Sequence, residues 1–195
     1  MQQLLSELQT YVLNNDSQMI SELKIICEAL LLLCESKNID LAQDTVKPVW
    51  ERLSKYDQWY LSDIRIMNVI LFLFPTEVAI ELTKRVLTRL EIYNGFQDSS
   101  KLRLTFRINL SLLLIKNECY SEALELLTTT LEESRWIMPY QTLAVCFARM
   151  AICYFKLGQG MEMEFMQKTQ QLLQLYEDQN LWINVQDEYF RYCYG

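Results

Sequence analysis

Three stretches, Ile64–Phe74 (IRIMNVILFLF), Phe106–Lys116 (FRINLSLLLIK) and Phe147–Leu157 (FARMAICYFKL), align without gaps on Arg65, Arg107 and Arg149. Each arginine stands 42 residues from the next. Around each, apolar residues recur at three and four, the period of a helix buried on one face. A second set of segments follows them. EVAIELTKRVL (77–87) matches SEALELLTTTL (121–131), pairing Ala79 with Ala123 and Leu82 with Leu126, and FMQKTQQLL (165–173) is a weaker third copy. A fixed period of this size marks stacked supersecondary units.

The composition agrees. Of 195 residues, 51% are hydrophobic, enough for one well-buried domain, and only 4 are Gly and 3 Pro. Sheets, barrels and nucleotide-binding loops need turn glycines, so the expectation is an all-α chain. Breaks in the helical period fall at NNDS (14–17), SKNID (36–40), KYDQ (55–58), PTE (75–77), NGFQDSS (94–100), KNE (116–118), IMPY (137–140), LGQG (157–160) and EDQN (177–180). They predict about ten helices whose short links make antiparallel neighbours. Pro75 suits the first turn of its helix, and the helix over 40–54 should begin near Pro48 or bend there.

NECYSEALELLTTTLEE (117–133) resembles the second helix of a tetratricopeptide repeat, with Ala123 small enough for two helices to approach and Tyr120 at the corner. The period exceeds the usual length of about 34. The fold expected is a divergent, right-handed tetratricopeptide-like solenoid of about five helix pairs, one domain over 1–195. Its concave face would be lined by the first helices, which carry the three arginines.

Several functions are excluded or made remote. The chain has no His, which removes Ser-His-Asp, Cys-His and His-ligated zinc sites. No glycine-rich phosphate loop is present. Glu132/Glu133 and Glu162/Glu164 read as solvated helix faces rather than acid–base pairs. Neither catalysis nor a cofactor or metal is expected. With 18 basic and 25 acidic residues, no basic face tracks a phosphate backbone. The cysteine pairs Cys27/Cys34 and Cys146/Cys153 are seven apart, about 10 Å along a helix, too far for a disulfide. All six cysteines read as small buried hydrophobes in a reducing cytosol. Apolar runs such as ALLLLC are too short to span a bilayer and no signal peptide opens the chain, so a cytoplasmic protein without membrane contact is expected.

Binding remains. Arg65, Asn68 and Phe72 form one stripe. Arg107 and Asn109 lie about 200° apart on their helix, so at most one faces a groove. Asn109 is favoured, because Thr105, Asn109, Leu112 and Lys116 make a stripe. Arg149 shares a face with Thr142, Cys146 and Cys153. A carboxamide offers donor and acceptor together, enough to clamp an extended peptide's main chain, and an arginine pairs with a carboxylate. The competing readings are arginines that snorkel to solvent and asparagines that are satisfied buried amides. Trp50, Trp59 and Tyr60 read as core packing at helix crossings, and Met161, Met163 and Met166 as gap fillers. In the terminal segment NVQDEYFRYCYG, Tyr189, Phe190 and Tyr192 make an aromatic face that suits a dimer contact.

YDQWYLSDIRIMNVILFLF (56–74), RINLSLLLIKNECYSEALELL (107–127), ICYFKLGQG (152–160) and LLQLYEDQNLW (172–182) resemble the regulatory domain of the Rgg/GadR/MutR transcriptional regulators. The likeness runs from about residue 17 to the C-terminus. It implies quorum sensing: a short imported signalling peptide held on the concave side, and homodimerisation through the C-terminal part. The peptide-holding asparagines of such receptors map onto Asn68 and Asn109, with Arg65, Arg107 and Arg149 as further contacts, and Phe72 joins them as the continuation of the Arg65/Asn68 stripe. The family's helix-turn-helix lies N-terminal to this region, whereas QQLLSELQTYVLNND (2–16) reads as an early repeat helix or linker. DNA would thus be reached only through a helix-turn-helix absent from this chain. The alternative is a tetratricopeptide-like scaffold that binds another protein without any peptide pheromone.

Overall fold

The computed structural model describes residues 2–14, 17–36, 38–56, 58–93, 95 and 97–195. Among them are ten α-helices and three short 3-10 turns. They are α1 (Gln2–Asn14), α2 (Gln18–Ser36), α3 (Ile39–Ser54), α4 (Leu61–Ile70), α5 (Thr76–Leu90), α6 (Gln97–Lys116), α7 (Tyr120–Ser134), α8 (Tyr140–Lys156), α9 (Glu162–Leu175) and α10 (Gln179–Tyr194). They divide into two compact units, Met1–Ala79 and Ile80–Gly195.

In the first unit α2 packs against α1 and α3. The apolar stripes Ile26/Ala29 of α2, Ala42/Val46/Val49/Leu53 of α3 and Ile64/Met67/Ile70 of α4 are buried. Burying one such aliphatic side chain contributes about 1.5–3 kcal/mol, so these stripes fix the hairpins. Trp59 is buried beside them and donates its indole N–H to the Leu53 carbonyl at 2.9 Å. Trp50 is half-buried, its ring 4.8 Å from that of Phe74. Tyr60 departs from the expected core role and is exposed. The helix expected to begin near Pro48 or bend there begins at Ile39 and runs through the proline. Asn38 caps it, its side chain accepting from the Leu41 N–H at 3.0 Å. Pro48 and Asp44 both lie on the exposed face, so the carbonyl that the proline cannot bond is open to water. The apolar run after Arg65 is not one helix either. It tightens into a 3-10 turn over Leu71–Leu73, and Phe74 is extended. The next residue is Pro75, whose ring disfavours helical backbone in the residue before it. The Pro75 carbonyl then accepts from Ala79 N–H at 2.9 Å and opens α5.

The second unit is built around α8, which packs on α6, α7, α9 and α10. Ala144, Cys146, Ala148, Met150, Ala151, Ile152 and Cys153 are buried around most of its circumference, so it is the unit's central helix. Ala123 on α7 is wholly buried, as a small residue at a close crossing should be. Helix α6 starts one turn earlier than the sequence suggested. Ser99, read as loop, donates its hydroxyl to the Tyr93 carbonyl at 2.7 Å. Met166 does fill a gap, packing on Ala144, Ala148, Leu173 and Val185. Met161 and Met163 do not, being exposed.

Three links share one geometry. After α6, Cys119 N–H reaches Leu114 O and Glu118 N–H reaches Ile115 O. After α8, Gln159 pairs with Tyr154 and Gly158 with Phe155, and after α9, Asp178 pairs with Leu173 and Glu177 with Gln174. This is the Schellman closure, which needs a left-handed residue. Gly158 supplies it at φ +65°, but Glu118 and Glu177 supply it at φ 58° and 53°. The link between α7 and α8 differs. It passes through the 3-10 turn Arg135–Ile137, where Trp136 is 92% exposed, and Pro139 precedes α8.

The cysteines do not share one environment. Cys146, Cys153 and Cys193 are buried, Cys27 and Cys119 are half-buried and Cys34 is exposed, all as free thiols. Only the first three fit the expected buried-hydrophobe role, because α2 presents Cys34 near its exposed end. Burial pushes the thiols of Cys146 and Cys153 up to about 12 and that of Cys193 up to about 11.

Two outcomes follow. In native protein at mild alkaline pH, iodoacetamide should label Cys34 first and leave Cys146 and Cys153 unmodified, as mass spectrometry of the digest would read. A thiol raised in the folded state ionises first in the unfolded chain. Stability should therefore be full below pH 9, the ordinary thiol value, and fall as pH rises toward 12. Separately, Glu177→Gly relieves a left-handed side-chain-bearing residue and should stabilise the chain by about 1 kcal/mol in denaturant unfolding.

Candidate functional site

Helix α4 is fixed at its start by Asp63, which accepts from the Tyr60 N–H at 3.0 Å. With Ile64, Met67 and Ile70 turned into the first unit's core, the 3.6-residue period places Arg65, Asn68, Val69 and Phe72 on the other side. Arg65 is exposed, Asn68 half-buried, and Val69 and Phe72 about two-fifths exposed. The predicted stripe is thus an accessible face with a cation, an amide and an aromatic ring.

Sequence reasoning missed a second feature of that unit. Arg52 of α3 is ion-paired with Glu22 of α2 and, at 3.0 Å, with Asp63 of α4. Both carboxylates are buried. Opposite charges outweigh what burial costs the guanidinium, and its pKa is raised. A cleft of about 220 Å³ bordered by Gln18, Met19, Ser62 and Ile66 opens onto this cluster. The signal was in the sequence: Glu22 is in phase with Ile26 and Ala29, and Asp63 with Met67 and Ile70.

In the second unit, Phe106, Leu110, Leu113 and Leu114 face the core from α6. Thr105 and Lys116 are exposed, and Asn109 and Leu112 between them are half-buried. This predicted stripe is likewise accessible. Arg107 lies off it and pairs with Glu133 of α7. Its side chain is four-fifths covered, so its charge ties two helices together.

Arg149 goes further inside. It is 7% exposed, and its surroundings supply acceptors on two sides. Nη1 donates to the Ile108 carbonyl of α6 at 2.6 Å and to Ser111 Oγ at 3.4 Å. Nε and Nη2 donate to the two carboxylate oxygens of Glu188 on α10 at 2.7 and 3.3 Å, a forked pairing. Of the other residues of its face, Cys146 and Cys153 are buried too and Thr142 is half-buried. The guanidinium is thus engaged on both sides and turned away from any groove ligand. Neither Glu188 nor Ser111 stood out in the sequence, because partner choice across helices leaves no periodic trace.

The terminal aromatic segment is split by α10. Tyr189 is buried, with ring contacts to Phe155, Phe190 and Tyr194, and its hydroxyl pKa is raised by desolvation. Tyr192 is half-buried, while Phe190 is 54% and Tyr194 66% exposed. The outward apolar surface thus consists of Phe190 and Tyr194, with Tyr189 supporting them from within.

Among the described residues no three Cys, Asp or Glu side chains gather to hold a metal ion, and no helix is long and apolar enough to cross a membrane.

The arginines should separate in a stability measurement. Arg149→Met leaves the Glu188 carboxylate without its cation and should cost about 3 kcal/mol in urea unfolding. Arg65→Ala, at an exposed position, should stay within about 0.5 kcal/mol of the parent.

No curated protein matches the chain. The family described as HTH-type transcriptional regulator Rgg, C-terminal domain, matches residues 2–186, nearly the whole length and both units. With its all-helical fold, the chain belongs to the Rgg C-terminal domain family and is a regulatory domain of the transcription-regulator type.

Proposed function

We propose that this chain senses a short signalling peptide on behalf of a transcription regulator. The observation that carries the proposal is the accessible α6 stripe of Thr105, Asn109, Leu112 and Lys116 in a domain of the Rgg family. Asn109 would give one hydrogen bond and accept another from an extended main chain, which no aliphatic neighbour can do. Leu112 would seat an apolar side chain, and the Lys116 ammonium a carboxylate. On α4, Asn68, Arg65 and Phe72 offer the same three chemistries. Arg107 and Arg149, engaged by Glu133 and Glu188, are left to hold α6 against α7, α8 and α10.

The sequence-adjacent pairs α1/α2, α2/α3, α6/α7, α7/α8, α8/α9 and α9/α10 pack on one another, which supports reading them as tetratricopeptide-like hairpins; the succession would be right-handed, with the peptide on the first-helix side. The whole of 1–195 would act as one non-enzymatic regulatory domain in the cytoplasm. Homodimerisation through α10 would use Phe190 and Tyr194, with half-buried Tyr192 beside them and Tyr189 beneath. DNA would be engaged only by a helix-turn-helix segment outside these residues. Peptide binding would shift the population of dimer arrangements according to its differential affinity for them.

Isothermal titration with a pool of short apolar peptides tests this reading. Binding is expected, and Asn109→Ala should weaken it about five- to a hundredfold, the loss of one desolvated hydrogen-bonding partner, without unfolding the chain. If no peptide binds a folded protein, the accessible faces belong to a protein–protein scaffold instead.

A further inference from the structure

The three repeat arginines occupy equivalent sequence positions, and Arg149 joins three helices by hydrogen bonds. From α8 it reaches back to Ile108 and Ser111 on α6 and forward to Glu188 on α10. Its α6 partner is main chain, the carbonyl of the residue immediately before Asn109. Ser111 donates to that same carbonyl at 2.7 Å, so the carbonyl receives two side-chain donors at once. Its α10 partner, Glu188, directly precedes Tyr189 and lies two residues before Phe190.

A guanidinium is planar and rigid, and its donors leave it in fixed directions. With one edge on Glu188 and one nitrogen on Ile108, it cannot follow one helix without moving relative to the other. Aliphatic contacts between helices can slide by fractions of an ångström; forked charged hydrogen bonds tolerate this far less.

We infer that Arg149 is a positioning residue that couples occupancy of the α6 face at Asn109 to the setting of α10. This deepens the peptide-sensing reading and rests on it for the identity of the occupant. The chain of cause is short. An occupant pressing on Asn109 shifts the α6 backbone at Ile108. Arg149 follows its acceptor, and Glu188 follows Arg149. The α10 segment carrying Phe190 and Tyr194 then turns with Glu188. The coupling belongs to the arginine's two-sided pairing, not to its charge alone.

The test uses the full chain and no peptide. Asn109→Trp places permanent bulk on the α6 face as a stand-in for an occupant. Hydrogen–deuterium exchange of the α10 amides, Val185 to Tyr194, is the readout, with α2 amides as an internal reference. Asn109→Trp should change α10 exchange by about fivefold or more while leaving α2 unchanged, the scale of an ordinary coupling. The change should vanish when Glu188→Gln or Arg149→Lys is added. A purely structural Arg149 would instead give the same response in every background. That result, or an α10 that ignores Asn109→Trp, overturns the proposal. Should Arg149→Lys fail to fold, Glu188→Gln decides alone, since it keeps size at a partly exposed carboxylate. The two readings also fail separately. A responsive α10 in a protein that binds no peptide keeps the coupling and removes the peptide. A peptide that binds while α10 stays unmoved does the reverse.

Discussion

A guanidinium cannot lose its charge inside a protein, so burying one forces the surroundings to supply acceptors. In the second unit that requirement is met at Arg149, and the arrangement of α6, α8 and α10 follows from it. Helix α8 is buried nearly all round by small and aliphatic residues, which by themselves would let its neighbours settle at several heights. The carbonyl of Ile108 and the carboxylate of Glu188 select one of them. The hydrophobic surface supplies the free energy, and the polar contacts supply the register.

The first unit solves a related problem with a second carboxylate where the other has a carbonyl. Arg52 lies between Glu22 and Asp63, so two carboxylates surround one cation across α2, α3 and α4. Replacing such a cluster by apolar residues often leaves stability unchanged, whereas removing a single member is costly. Its value lies in registry. Asp63 also holds the Tyr60 N–H, so the arrangement that aligns three helices also starts the α4 helix that presents Arg65, Asn68 and Phe72.

The helices themselves were legible because their code is local. Apolar residues at three and four, scarce glycine and nine breaks in the pattern are enough to count them. The boundaries that moved did so for equally local reasons: the Asn38 cap, the Ser99 hydroxyl and the restriction Pro75 imposes on Phe74. The site was only half legible. A 42-residue period fixes where an arginine falls along its helix, but not which neighbour it meets. Arg65 is out of phase with its buried stripe and stays exposed; Arg149 is in phase with Cys146 and Cys153 and is buried. Phase against the apolar stripe separates those two, and it marks Glu22 and Asp63 as well. It does not reveal Glu188, because pairing between distant helices is a property of the fold. The accessible stripes on α4 and α6 emerged from the same rule applied in reverse.

The tryptophans make the two units optically distinct. Trp59, enclosed in the first unit with its indole N–H bonded to Leu53, should emit toward the blue. Trp136, on the turn before α8, already stands in water and should emit toward the red whether its unit is folded or not. With Trp136 unresponsive, Trp50 and Trp59 report the first unit and half-buried Trp182 the second, so a fluorescence melt followed by its wavelength shift would weigh the first unit more heavily. A probe of helix content would weigh the two by length instead. Where the two curves fail to coincide, their separation reports how far the units lose structure independently.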